Sequence, residues 1–431
     1  MATILSLVGR ERGVRSILNP VHFGAIRIYI FPVLNNIMTT KQFVIRFFFL
    51  SLFLLTLIGL LNRIVDPFWY FRDIEIKGFN AIKSEFRNYE RHVKPYLLVH
   101  DQPEAIILGS SFSEIGFDPN NPFFTDHGRL KGMNFALAGA PWAMVQCHFE
   151  YAVAHANIKR AVIGFHLENL PVANCEKDFA KLGQINMGEL LLSMPALSAS
   201  IKTITKQKSA NLSHTREGMY FFKRDQPDAN IRFGGDYRLL LKHEPKCANG
   251  IINTPDIPFN SVTETIYDLS GLRRMVKTAK EHHVELVLFA YPQHVYKEEW
   301  DRQCGDEVMN WHVMKQIARL IEEEAKPDQV RAWQFYGYNA ITAESIGTTA
   351  SYWQDSRHFN FEVGDRMLAD MFGESGKKPE FGRPLVSSRI EADYQDLLKE
   401  RAVYLQQHPE FFAELKKIQQ LCEAPDNKCR D

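Results

Sequence analysis

The sequence predicts an α/β protein built on a parallel sheet with helices on both faces. Three observations lead there. From Glu104 to Phe335, short apolar runs of strand length alternate with segments of helical period. Those runs are nearly continuous in apolar residues, as in strands covered on both sides. Ahead of them, Phe47 to Leu61 reads FFFLSLFLLTLIGLL, with no charge, and stands apart from the globular pattern.

In chain order, residues 1–42 read as a cytoplasmic N-terminal segment. Met38-Thr39-Thr40-Lys41 resembles a natural start, which makes the first 37 residues an upstream extension. Residues 43–65 are long enough for a bilayer anchor, which needs ~20 residues. Arg46 can snorkel to the interface. A buried core helix is the alternative, but the run has no polar face. A cleaved signal peptide is a second one, but Asn62-Arg63-Ile64-Val65-Asp66 lacks a small-x-small site. Arg10, Arg12, Arg15, Arg27 and Lys41 precede the span, with Glu11 as the sole acid. Positive flanks stay inside, so the N-terminus is expected in the cytoplasm and the rest in the periplasm or outside.

Residues 66–102 read as a juxtamembrane connector whose Phe68, Trp69, Tyr70 and Phe71 suit the membrane interface. The body spans 103–375. Its strands are expected at Ala105–Leu108, Met133–Leu137, Arg160–Phe165, Val284–Ala290 and Val330–Phe335. Helices are expected from Pro141 to about Ala156, from Ser261 to His282 and from Glu298 to Ala325. Residues 170–258 lose the rhythm and read as an insertion with a helical piece at Met187 to Leu197. Residues 376–431 form a helical C-terminal appendage with Tyr404, Phe411, Phe412 and Leu415 as its apolar teeth.

Lys+Arg and Asp+Glu each total 51, so no global field invites nucleic acid. The zinc patterns C-x-x-C…C-x-x-C and H-E-x-x-H and the P-loop pattern do not occur. Neither a metal nor a cofactor is expected. Six cysteines permit disulfides in an oxidising compartment. Cys422 and Cys429 are the favoured pair; Cys147, within a helical stretch, also suits a buried free thiol.

In an open parallel sheet, sites form at the carboxyl ends of the strands. Ser110 and Ser111 follow the first strand, Gly139 the second, His166 the third, and Asp355 and His358 the last. A serine hydroxyl needs a neighbouring base, neutral histidine suits that task, and a carboxylate fixes the histidine tautomer. Asp355 and His358 are three apart, so one helical turn puts both on one side. The N–H groups of Ser111 and Gly139 are natural oxyanion donors. Each piece also has an ordinary reading. Ser111 can cap a helix, Asp-x-x-His can be a surface ion pair, and His166 and His294 can be rim or core residues. Trp142, Trp353, Tyr352, Tyr336 and Tyr338 can line a sugar groove or fill the core. His282-His283 reads as a solvated helix end.

Ile106-Ile107-Leu108-Gly109-Ser110-Ser111 resembles the first block of the SGNH (GDSL-like) hydrolase superfamily, with Ser110 in place of the usual aspartate. Ala138-Gly139-Ala140 resembles its glycine block, and Asp355-x-x-His358 its final block. The resemblance extends over about residues 100–375. It is closest to the membrane-anchored, extracytoplasmic branch that includes the alginate O-acetylation and teichoic-acid D-alanyl transfer proteins. It implies a flavodoxin-like three-layer sheet, with Ser111 as nucleophile, His358 as general base and Asp355 as its orienter. It further implies an O-acyltransferase or esterase acting on an envelope or secreted polysaccharide, with an integral-membrane acyltransferase as partner. The alternative is an inactive binding or scaffolding module of such a complex. The family's third-block asparagine has no counterpart here: the strand ends Gly164-Phe165-His166-Leu167-Glu168-Asn169, and Asn169 lies too far along. His166 is the substitute donor.

Overall fold

The structure, a computed structural model, describes residues 39–175, 186–208, 214–220, 255–263, 265–345, 351–373 and 378–416. By its internal contacts the chain divides into residues 1–53 and 54–431. Helix α1 (Thr40–Val65) is long and apolar enough to cross a bilayer, and Phe47, Phe48 and Phe49 on it are each 62 % exposed.

The elements that follow are α2 (Glu90–Asp101), β1 (Ala105–Leu108), α3 (Ser111–Gly116), β2 (Gly132–Asn134), α4 (Trp142–His155) and β3 (Arg160–Phe165). Then come α5 (Met187–Leu192), α6 (Met194–Lys206), α7 (Ser270–Glu281), β4 (Glu285–Ala290), α8 (Val295–Cys304) and α9 (Asp306–Glu324). The last are β5 (Val330–Gln334), α10 (Phe361–Phe372), β6 (Arg383–Pro384) and α11 (Ile390–Gln407).

The sheet order is β2-β1-β3-β4-β5-β6. The first five strands are parallel, in the 2-1-3-4-5 order of flavodoxin-like sheets. Ile107, Val162, Val287 and Arg331 stand side by side across it. β6 runs antiparallel to β5 and makes the sheet mixed, where the sequence predicts a parallel one. Alternation along the strands splits the core into two layers. Ile106, Leu108, Ile163 and Leu288 pack with α2, α4, α7 and α9, while Ile107, Val162, Val287 and Phe289 pack with Phe112 of α3 and with α10.

Several expectations are corrected. The 66–102 segment is part of the body: Phe68, Trp69 and Tyr70 are buried, with Phe68 stacked on Tyr89 at 3.7 Å and Tyr70 on Tyr96 at 4.0 Å. These aromatics fill the core instead of lying at a bilayer surface. The single helix expected over 298–325 is two, because Gly305 at φ +82° ends α8 in a left-handed cap. The helix expected from Ser261 begins at Ser270, and β2 stops at Asn134. Ser193 splits the Met187–Leu197 piece by capping α6. Cys147 is disulfide-bonded to Cys175, not a free thiol. Cys304 is also disulfide-bonded, with its partner outside the described residues. Cys422 and Cys429 lie outside them too. In the appendage, Phe411 and Leu415 are buried against Val295, Tyr296 and Trp300, as their apolar spacing predicts.

Candidate functional site

β1 and β3 are neighbours whose connections leave in opposite directions, so a crevice opens beyond their carboxyl ends. β1 delivers its chain into that crevice through Gly109, at φ +139°. Tyr291, just after β4, lies across this turn. A Cβ on Gly109 would fall 2.2 Å from the Tyr291 hydroxyl, and one on Gly164 would fall 2.3 Å from its ring. Tyr291 thus excludes a side chain at Gly164, and at Gly109 it does so together with Ser113 and the positive φ. The hydroxyl of Tyr291 accepts the Ser110 N–H at 2.9 Å and shares a hydrogen bond with Ser113 Oγ at 3.0 Å. Ser110 is thereby buried as the residue preceding α3, and Ser111 is left partly exposed.

His358 and Asp355 sit on the loop between β5 and α10, not on a helical turn. Asp355 Oδ1 accepts the backbone N–H of Arg357 at 2.9 Å and of His358 at 2.7 Å, an Asx turn. Its Oδ2 faces His358 Nδ1 at 2.7 Å, and His358 Nε2 lies 2.8 Å from Ser111 Oγ. Burial alone would raise the Asp355 carboxyl, but the imidazole and the two N–H donors outweigh it and hold the pKa below the ordinary value. The charged carboxylate selects the tautomer with hydrogen on Nδ1, which leaves Nε2 as acceptor for the serine proton. The Phe112 ring centre, 4.3 Å from that of His358, walls the imidazole.

Beneath α3 lies a group of buried charges with no signal in the local sequence pattern. Lys94 Nζ is 3.3 Å from Glu114 Oε1 and donates to Ala136 O at 2.5 Å. His214 Nε2 lies 3.2 Å from Glu90 and 3.4 Å from Glu114. Burial pushes the Glu114 carboxyl up, but the Lys94 ammonium and His214 more than reverse this and hold it well below the usual range. Glu90, Glu114 and His214 present ligand atoms within 4.8 Å of one another, the spacing of a metal site. The Lys94 ammonium already supplies the positive charge there, so the donor set does not fit an added cation. Lys94 thereby ties α3 to the segment that leads into Gly139.

Gly139 has φ +63° in the turn after β2, where Arg91 donates to Ala138 O at 2.8 Å. Among the described residues, the N–H groups of Ser111 and Gly139 have no hydrogen-bond partner. His166 lines a cavity of about 520 Å³ with Phe112, Tyr291, Lys297, Tyr336 and Arg357 among its neighbours. Its ring centre is 5.4 Å from that of Phe112 and 5.0 Å from that of Tyr291. Phe112 walls both the His358 imidazole and this cavity, so the cavity opens beside His358. Asn169 Oδ1 instead accepts the Asp268 N–H, at 2.8 Å.

Of the five aromatic residues expected at a sugar groove, only Tyr336 lines this cavity. Trp142 and Trp353 are core residues that donate to Pro171 O and Ile341 O. Tyr338 donates to Glu299 and Tyr352 packs beside the core. His294 is buried, accepts the Tyr296 N–H and lies 2.8 Å from Glu344 O. His282 and His283 are exposed at the end of α7. Compared with known proteins, the chain matches no protein-family model and no curated protein.

Proposed function

We propose that the protein is a membrane-anchored, extracytoplasmic serine acyl-transfer enzyme with an SGNH-hydrolase-like site. The observation that carries this is the continuous line from Ser111 Oγ through the His358 ring to Asp355, at 2.8 and 2.7 Å. Ser111 attacks an acyl carbonyl while His358 Nε2 takes its proton, a step worth ~10²–10⁴ in rate. The oxyanion forms against the Ser111 and Gly139 N–H groups. The imidazolium then protonates the departing alcohol and leaves an acyl-enzyme. An incoming hydroxyl gives its proton to His358 and takes the acyl group. Water as that acceptor makes an esterase, and a sugar hydroxyl makes an O-acyltransferase.

The disulfide between Cys147 and Cys175 supports an oxidising compartment. The cavity beside the triad, with Tyr336, His166 and Lys297 on its walls, suits a polar, ring-bearing acceptor such as an envelope or secreted polysaccharide. An integral-membrane acyltransferase would be the natural donor of acyl groups to a site tethered at the bilayer.

The test is hydrolysis of p-nitrophenyl acetate by the full chain in detergent, with labelling by a fluorophosphonate. Wild type is expected to turn over the ester and to carry the label on Ser111. Ser111→Ala is expected to lose both, about 10⁴-fold or more in rate. A wild type no faster than Ser111→Ala, with no label, would leave a binding or scaffolding module.

A further inference from the structure

Helices α5 and α6 meet at Ser193 in a corner with two unlike sides. One side is buried through Leu190, Ala196, Ala199, Ser200 and Thr203. On the other, Met187, Leu192, Met194 and Ile201 are 44, 48, 72 and 51 % exposed. Single exposed apolar residues are ordinary on a protein surface. These are gathered at one corner, and the corner is fastened to α1.

The fastening lies inside the apolar stretch of α1. A Cβ on Gly59 would come 3.2 Å from Leu192 Cδ2. Gly59 lies roughly 9 Å along the axis from the end of α1 at Val65, at the standard helical rise. Asn62 is a polar side chain on a helix otherwise suited to lipid, where an unpaired amide is costly. The corner satisfies both of its ends: Nδ2 donates to Leu191 O at 2.8 Å, and Oδ1 accepts from Ser200 Oγ at 2.7 Å. The corner also satisfies its own helix starts. Asn186 Oδ1 accepts the Gly188 N–H at 3.0 Å, Ser193 Oγ accepts the Ala196 N–H at 3.1 Å, and Pro195 has no N–H to satisfy. Such internal pairing is what a low-dielectric surrounding demands of a backbone. Lys202, exposed beside Ile201, can lay its stem along apolar surface and keep its ammonium among headgroups.

We propose that this corner is a second membrane contact, with Leu192, Met194 and Ile201 immersed in lipid acyl chains beside α1. Two contacts fix the orientation of the body on the bilayer, where one helix alone would leave it to swivel. The inference rests on the reading of α1 as a bilayer span.

The experiment places a diazirine-bearing amino acid at Met194, Phe53 or Val403 of the full chain. Each protein is reconstituted into phosphatidylethanolamine–phosphatidylglycerol vesicles, irradiated and analysed by mass spectrometry. Phe53 reports on the span, and Val403, 54 % exposed on α11, reports on the water-facing body. Lipid adducts are expected at Phe53 and Met194 in yields of the same order, with water adducts alone at Val403. Lipid at Phe53 but only water at Met194 would overturn the corner contact and leave the anchor standing. Absence of lipid at Phe53 would overturn the span itself, and this proposal with it. A protein adduct at Met194 after irradiation of whole cells, in place of lipid, would make the corner a docking surface for a partner and refute the lipid assignment. Met194 is exposed enough that the probe leaves the fold intact; the same probe at Ile201 repeats the measurement from the middle of α6.

Discussion

Ser111 and His358 meet at 2.8 Å, yet they are held by different kinds of structure. The serine stands where a fully buried strand becomes a helix. Tyr291 presses on Gly109 and Gly164 above it, and the Lys94–Glu114 pair anchors α3 below. The histidine stands on a loop tied mainly by local hydrogen bonds. Asp355 accepts two backbone N–H groups, and Gln354 N–H donates to His358 O at 2.7 Å. Longer ties reach it as well: the His294 N–H donates to Ser356 O at 3.0 Å, and the Trp353 indole N–H donates to Ile341 O at 2.6 Å. Damage on the serine side should therefore register first in stability, and damage on the histidine side first in activity.

The largest effect tests the histidine side. Asp355→Asn keeps an oxygen for the two N–H donors but no longer selects the Nδ1–H tautomer. Ester turnover should fall by about 10³–10⁴-fold while the urea midpoint stays close to wild type. A parallel fall in stability would erase the contrast. On the serine side, Lys94→Met leaves Glu114 buried with its cation gone and should cost about 3–5 kcal/mol in urea unfolding. Loss of activity with unchanged unfolding would mean that Lys94 acts on chemistry, not on packing.

The smallest effect concerns acid. Burial pushes the His294 imidazole down to about 4, outweighing the Glu344 O contact, which favours the charged ring; the neutral ring accepts the Tyr296 N–H. The folded protein keeps this ring neutral while the unfolded chain protonates near pH 6.5. Its contribution is whole above about pH 6.5 and is lost as pH falls towards 4, approaching about 3 kcal/mol. His148, also pushed down to about 4 by burial, adds in the same direction. His294→Gln should shrink the drop in melting temperature between pH 7 and pH 4.5, measured by calorimetry. An unchanged drop would mean that His294 does not report on the loop.

What was legible in the sequence follows the same division. β1 and β3 match their expected limits because a strand buried on both faces needs an uninterrupted apolar run. Asp355 and His358 were legible because an Asp-x-x-His spacing survives exchange of a helical turn for an Asx turn. Tyr291 was not marked out, since its role depends on two glycines 182 and 127 positions earlier in the chain. The Lys94–Glu114 pair was equally hidden, because charges read as solvated until a fold encloses them. Gly305 was passed over because a single glycine inside a helical period is tolerated and does not by itself mark an end. The aromatics at 68–70 were assigned to a membrane surface, since composition states affinity for apolar surroundings but not which one.

By itself, the order of residues determined the alternation of strands and helices, the apolar α1, and the succession of serine, aspartate and histidine at strand ends. Those properties follow from short-range periodicity and turn chemistry. The family resemblance had already set Ser111 rather than Ser110 against His358; only the tertiary structure decided how Tyr291 orients that turn, which cysteine Cys147 joins, and where the buried charges pair. Such outcomes depend on distances between groups far apart along the chain, and those distances exist only once the sheet has closed over its core.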